Sequence, residues 1–309
     1  MHILVPLDGS PLAERAIEPA VMLLRRLSSP GSLTLLRVVN PSSITYDISG
    51  LAPPISESVF QAAIEGGLDY LAQVATRRPM HGIRVATTAE IGSGVATTIC
   101  QVANDLAVDF IMMASHTRTG VPHFILGSVA EAVMRESTVP TLIIHREGAS
   151  FPAQDRDEPL TILVPLDGTP MAESALAPAM GLAKQVRGAI RVLRVLPPHQ
   201  GSTPTDRMLV DETQAYFARV RALGEAQGIT MQESIAWGEV APSIAAIAQE
   251  FQTDLVTIAT HGRTGLAQMR DGSITLGVLH HLVTPMMVVH PPAEVVQAPA
   301  PIHMAHVEP

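Results

Sequence analysis

The chain says the same thing twice. Ile3-Leu4-Val5-Pro6-Leu7-Asp8-Gly9-Ser10-Pro11 returns as Ile162-Leu163-Val164-Pro165-Leu166-Asp167-Gly168-Thr169-Pro170, and Val139-Pro140-Thr141-Leu142-Ile143-Ile144-His145 is answered by Val283-Thr284-Pro285-Met286-Met287-Val288-Val289-His290. The first pair of segments is offset by 159 residues and the second by 145. The second copy is therefore shorter by a segment that a loop tolerates and a core does not. A chain of 309 residues has room for two domains of about 100 to 200 residues each, and each copy is long enough to bury its own core.

Composition narrows what those copies are. Hydrophobic residues make up 47% of the chain but aromatics only 3%, so the cores are built from interlocking aliphatic layers, which suits helices packed on a sheet. A net charge of −9 lacks the basic footprint that a nucleic-acid backbone demands. The single Cys100 lies in an apolar helical run with Ile99 and Val102 and reads as a core residue rather than a nucleophile. No targeting segment and no run of 18 apolar residues is seen, so the expectation is a cytoplasmic protein with no nucleic-acid or membrane partner.

Each copy alternates short apolar runs with longer helical stretches, the signature of βαβ units and a parallel sheet covered on both faces. Strands are expected near residues 2–7, 32–39, 83–89, 109–115 and 140–146, and again near 160–166, 189–196, 229–236, 254–260 and 285–290. The fold class is α/β, with two tandem doubly wound domains of five parallel strands each. Their bounds are 1–147 and 160–291, joined by a polar linker at 148–159 and followed by a flexible tail at 292–309. Ser10-Pro11 and Thr169-Pro170 place a hydroxyl at a helix N-cap and a proline at the first helical position. Gly127-Ser128 and Gly272-Ser273 open the last helix of each copy, where backbone N–H groups suit an anion. The length difference falls after the second strand, at residues 41–54 against 197–204.

In such a sheet, ligands bind beyond the carboxyl ends of the strands where strand order reverses. Three segments converge there in each copy: the Asp8 or Asp167 turn, the loop after strand four, and the start of the last helix. A P-loop is excluded, because Lys184 is the only lysine and no Gly-x-x-x-x-Gly-Lys precedes it. Gly92-Ser93-Gly94 does not follow strand one and lacks a third glycine, so it reads as a strand-to-helix turn rather than a dinucleotide fingerprint. His116 and His261 have no acid or base partner at a fixed spacing in both copies, and read as structural. His280, His281, His303 and His306 form no matching ligand cluster, so no metal site is assigned. Arg118 and Arg263 recur, and a phosphate role competes with that of a solvated loop residue.

With these motifs in view, Val5-Pro6-Leu7-Asp8-Gly9-Ser10, Ala259-Thr260-His261-Gly262-Arg263-Thr264-Gly265 and Gly127-Ser128-Val129-Ala130-Glu131-Ala132-Val133-Met134-Arg135 resemble the universal stress protein family in its tandem form. The resemblance covers roughly residues 1–146 and 160–290. It implies an adenine-nucleotide alpha-hydrolase-like fold and, in members that bind ATP, a Gly-x2-Gly-x9-Gly-[Ser/Thr] frame around the phosphates and ribose. Copy two reads Ala259-x2-Gly262-x9-Gly272-Ser273, with one glycine replaced, whereas copy one reads Ala114-x2-Thr117-x9-Gly127-Ser128, with two gone.

The resemblance assigns Asp8 or Asp167 and Val38 or Val195 to the adenine pocket. The preferred set is Pro165, Asp167, Val195, Ala259, Gly262, Arg263, Gly272, Ser273 and Ile274. The weaker one is Pro6, Asp8, Val38, Ala114, Gly127, Ser128 and Val129. Asp271 places a carboxylate beside the expected phosphates, which opposes binding unless Mg²⁺ is present. The resemblance also implies pairing of the last strands into an internal pseudo-dimer, and leaves a further homodimer open.

The expected function is ATP binding with Mg²⁺ in copy two, in a stress-response protein that acts on an unidentified protein partner. With no nucleophile and oriented base, turnover of ATP is at most slow. The alternative is a nucleotide-free interaction module with degenerate phosphate loops. Asp8 and Asp167 also fit a simpler role, each capping its own turn. An enzyme on the same scaffold ranks last.

Overall fold

The computed structural model describes residues 1–40, 57–115, 127–145, 151, 159–198, 203–260 and 274–291. The first half carries strands β1 (His2–Pro6), β2 (Ser32–Val39), β3 (Arg84–Ile91), β4 (Phe110–Ser115) and β5 (Thr141–His145). Its helices are α1 (Ile17–Arg25), α2 (Glu57–Ala75), α3 (Val95–Asp105) and α4 (Ser128–Glu136). The second half repeats the scheme with β6 (Thr161–Pro165), β7 (Ala189–Leu196), β8 (Met231–Trp237), β9 (Leu255–Ala259) and β10 (Met286–Val289). Its helices are α5 (Pro170–Glu173), α6 (Leu176–Val186), α7 (Pro204–Glu225), α8 (Val240–Glu250) and α9 (Ile274–His281). The longer crossing at 41–54, the tail and most of the linker lie outside the described residues.

All ten strands form one sheet in the order β3-β2-β1-β4-β5-β10-β9-β6-β7-β8. Pairing within each half is parallel. At the centre β5 and β10 run antiparallel, with Ile143 opposite Met286 and Leu142 opposite Met287. Every residue of both central strands is buried. Without this pairing each would be an apolar edge with unsatisfied backbone groups.

The seam also merges the cores. On one face α1, α2, α6 and α7 cover a continuous layer that runs from Ile3, Leu35 and Leu142 to Met287, Val164 and Val192. On the other face α3, α4, α8 and α9 cover Leu4, Leu36 and Ile143 together with Met286, Val256 and Leu193. Alternation along the strands sorts these side chains, since neighbouring residues point to opposite faces. Cys100 is buried on α3 within the second layer, as its apolar run predicts. The N–H of Ser28 also reaches the Gln185 carbonyl of the other half at 3.0 Å.

The linker does more than tether. Phe151, inside the segment that reads as polar, is 1% exposed and joins the first core layer, which both halves share. In a chain so poor in aromatics it is one of the largest fully buried side chains. Phe151→Ala is expected to cost about 3 to 5 kcal/mol, read as a lower urea midpoint. Because the cores are continuous, unfolding should remain a single transition, and a separate early transition of one half would contradict a shared core.

A histidine ends β5 and another follows β10. Burial disfavours the charged form of His145 and lowers its pKa from 6.5 to about 4. Burial also lowers that of His290, opposed by a hydrogen bond to the Ser137 backbone across the seam. For His145 the folded value lies below the unfolded one, so the unfolded chain takes up a proton first as the solution is acidified. Its contribution to stability is complete above pH 6.5 and is lost as pH falls towards 4. The unfolding free energy of His145→Gln should therefore fall less steeply across this window than that of the wild type, by about 3 kcal/mol. Parallel slopes would show that His145 titrates alike in the folded and the unfolded chain.

Candidate functional site

In the first half the chain leaves β1 through α1 on one face and returns to β4 through α3 on the other. This is the reversal of strand order that leaves a crevice uncovered. The ladder itself shows the opening. β1 matches β2 over five residue pairs, His2–Ser32 to Pro6–Leu36, but meets β4 only at Ile3–Phe110 and Leu4–Ile111. The two strands then part towards Pro6 and Ser115. In the second half β6 and β9 pair only at Ile162–Leu255 and Leu163–Val256, so the same gap opens again.

One wall of each crevice is the turn after the first strand. The N–H of Leu7 donates to the Leu36 carbonyl and that of Leu166 to the Leu193 carbonyl, each at 2.8 Å. The chain then reverses at Gly9 and Gly168, with φ of 85° and 84°, a conformation that favours glycine. Asp8 Oδ1 accepts from the Ser10 N–H at 2.8 Å. Asp167 Oδ1 accepts from the Thr169 N–H at 2.8 Å and from its hydroxyl at 2.6 Å. Both aspartates therefore cap their own turns, as the simpler sequence reading has it, and both remain exposed. Burial pushes the Asp8 carboxyl up, but hydrogen bonds from Ser10 and the nearby Arg37 guanidinium outweigh it and hold the group below its ordinary value.

The helix starts differ between the copies. In the second, the Thr169 hydroxyl caps the Ala172 N–H and Pro170 opens α5, as expected. In the first, the Ser10 hydroxyl still accepts from Ala13 at 3.1 Å, but Pro11 is not the first helical residue. Residues 11 and 12 form a turn, and Ala13–Ala16 is a 3-10 segment because Arg15 bonds three residues back, to Leu12, at 3.0 Å.

The remaining walls place the other assigned residues. Pro6 and Pro165 end their strands. Val38 and Val195, near the ends of β2 and β7, are half-buried against the second core layer. Ala114 and Ala259 lie at the ends of β4 and β9. Gly127 precedes α4 with φ of 86°, Ser128 is its first residue, and Val129 packs on the second layer. Ile274 begins the described part of α9 and is 54% exposed. Gly262, Arg263, Gly272 and Ser273 lie outside the described residues, as do His116, Thr117, Arg118, His261, Asp271, His303 and His306. Gly92-Ser93-Gly94 joins β3 to α3, as read from the sequence.

Beneath the turns lies a cluster that the sequence reading passed over. Arg37 Nη1 donates to the Leu7 carbonyl at 3.3 Å, and Glu14 accepts from the Tyr70 hydroxyl at 2.9 Å and from Arg77. Burial and the Glu14 carboxylate push the Tyr70 phenol up to about 12. In the second half Glu173 pairs with Arg219, and Tyr216 lies beside the guanidinium groups of Arg194 and Arg219, but its hydroxyl makes no hydrogen bond to match that of Tyr70; burial and the nearby Glu173 carboxylate push the Tyr216 phenol up as well. The signal was in the repeat: Leu36-Arg37-Val38 returns as Leu193-Arg194-Val195, and Glu14 returns as Glu173.

Two other features are set apart from the crevices. A groove of about 240 Å³ between β3 and α3 is lined by Glu90 and Asp105, an acidic lining that disfavours phosphate. Among the described residues no three His, Cys, Asp or Glu gather as metal ligands, and no helix is long and apolar enough to cross a membrane.

Comparison with known proteins agrees with this architecture. The model of the Usp, or universal stress protein, family matches residues 1–145 and 160–290. A universal stress protein of Mycobacterium tuberculosis is 25% identical over 205 residues, covering 62% of this chain and 64% of the relative, so the match spans less than two thirds of that protein. One from Mycolicibacterium smegmatis is 22% identical over 300 residues, covering 94% of this chain and 97% of its own length. The crystal structure of a universal stress protein from Archaeoglobus fulgidus superposes with a TM-score of 0.67 at 20% identity, covering 94% of this chain and 98% of that one. With two successive matches that together span most of its length, the chain belongs to the universal stress protein family.

Proposed function

We propose that this protein binds ATP, held mainly in its second half with Mg²⁺, and acts through nucleotide-linked contacts with a protein partner, the two halves serving each other as an internal pseudo-dimer. The observation that carries the reading is the gap between β6 and β9. Asp167 stands on one side of it and Ala259 on the other, and Ala259 begins the only frame in the chain that keeps both Gly262 and Gly272-Ser273.

The residues present suit the base better than they suit a bare metal. Half-buried Val195 offers an apolar surface, and the exposed Asp167 has one carboxylate oxygen turned to its own backbone, leaving the other as an acceptor for an amino group. Mg²⁺ would be held through the phosphates of the nucleotide, since it is usually bound through substrate phosphates and one or two carboxylates, and would neutralise part of their charge. A nucleotide-free interaction module is the second reading, favoured by the self-capping of Asp8 and Asp167.

Calorimetric titration of ATP with Mg²⁺ separates the two. The wild type should bind saturably and Gly262→Asp at least about tenfold more weakly, because a carboxylate in the loop repels phosphate. Equal affinities would remove the assigned loop, and no binding to the wild type would leave the interaction module.

A further inference from the structure

The strand arginine and the Glu, Tyr and Arg beside it recur in both copies with different contacts, whereas the glycine frame beyond strand four is complete in neither copy. In the first half Arg37 leaves β2 with its stem against α2, where a Cβ on Gly67 would lie 3.1 Å from its Cγ. Its guanidinium ends on the Leu7 carbonyl, one residue before Asp8. In the second half Arg194 lies closer still to the turn, since a Cβ on Gly168 would stand 2.8 Å from its Nη1. Tyr216 flanks it, with the Arg194 guanidinium 6.0 Å from the ring centroid and that of Arg219 at 5.2 Å. Arg219 is bound in turn to Glu173, which follows the Asp167 turn on α5.

From this arrangement we infer that Arg37 and Arg194 are positioning residues that hold the Asp8 and Asp167 turns in the geometry that accepts the base, with Glu14–Tyr70–Arg77 and Glu173–Tyr216–Arg219 as their braces. The inference rests on the nucleotide reading for its ligand, but the turn it describes exists without one. A guanidinium is suited to the task because its planar, permanently charged fork can bond a carbonyl while its face lies on an aromatic ring. Placed directly beneath a glycine of positive φ, it also occupies the space into which the turn would otherwise relax. The braces keep Glu14 and Glu173 paired with other cations, so that neither carboxylate draws the strand arginine away from the turn.

Arg194→Met and Arg194→Gln remove the charge, and Arg194→Lys keeps it. Hydrogen exchange should show the Thr169 amide, which bonds Asp167, exchanging about tenfold faster in the first two. The amides of β6 and β9 should stay as protected as in the wild type, a contrast that general destabilisation would erase. ATP with Mg²⁺ should bind the two charge-removing variants about tenfold more weakly, with the lysine variant recovering most of the loss. Should the methionine variant not fold, the glutamine variant supplies both readouts. Unchanged Thr169 exchange, or exchange that rises equally throughout the sheet, overturns the inference. Equal ATP affinity in the wild type and the charge-removing variants overturns it too, whereas failure of the wild type to bind ATP defeats the nucleotide reading and leaves the exchange result to decide the turn.

Discussion

The antiparallel contact between β5 and β10 is the constraint on which the rest of the structure depends. Each strand is buried along its whole length and each ends its own half of the sheet, so a half on its own would present a largely apolar edge to solvent. Pairing Ile143 with Met286 and Leu142 with Met287 satisfies the backbone and buries both faces at once. Fully burying an aliphatic side chain is worth about 1.5 to 3 kcal/mol. The seam contributes several such residues to each face, and no surface salt bridge among the described residues approaches that worth.

That seam leaves the two crevices at equivalent places on either side of the sheet centre, because each lies one strand removed from it, at β1/β4 and at β6/β9. The ends of β1 and β4 are free to part because their neighbours β2 and β5 hold them over longer ladders. A rigid sheet thus supports an open mouth, and the walls of that mouth are turns fixed by short local bonds. The Asp8 and Asp167 turns show the compromise: the same carboxylate that faces solvent also organises the chain behind it.

The repeat, the aliphatic composition and the alternation of apolar runs were enough to read the α/β class and the ten strands, because these follow from periodicity, whereas the joining of the last strands, seen in the β5–β10 pairing, was implied by the family resemblance. Phe151 was not legible, since a single aromatic among polar neighbours has no period and only tertiary packing tells that it is core. Pro11 misled for a related reason: Ser-Pro and Thr-Pro carry the same local signal, but whether the first turn closes over three or four residues depends on what surrounds it. The strand arginines were visible in the repeat yet unread, because a charged residue near the end of a half-buried strand resembles a solvated one until its target, the carbonyl or glycine of a neighbouring turn, is known.

The two copies also show which demands on a duplicated domain can be relaxed separately. What the seam requires of the first half is β5 and the helices on both faces, and those are intact, so the scaffold cannot dispense with that half whatever happens to its loop. In the glycine frame Thr117 stands where the second copy has Gly262, at a distance in sequence from every seam residue. The turn at Asp8 sits between these extremes. Its arginine and the Leu7 N–H tie the end of β1 to β2, and its glycine and hydroxyl cap shape the wall of the crevice. The copies therefore differ in the loop, with Thr117 against Gly262, and agree in the turn, where a substitution would also cost the sheet.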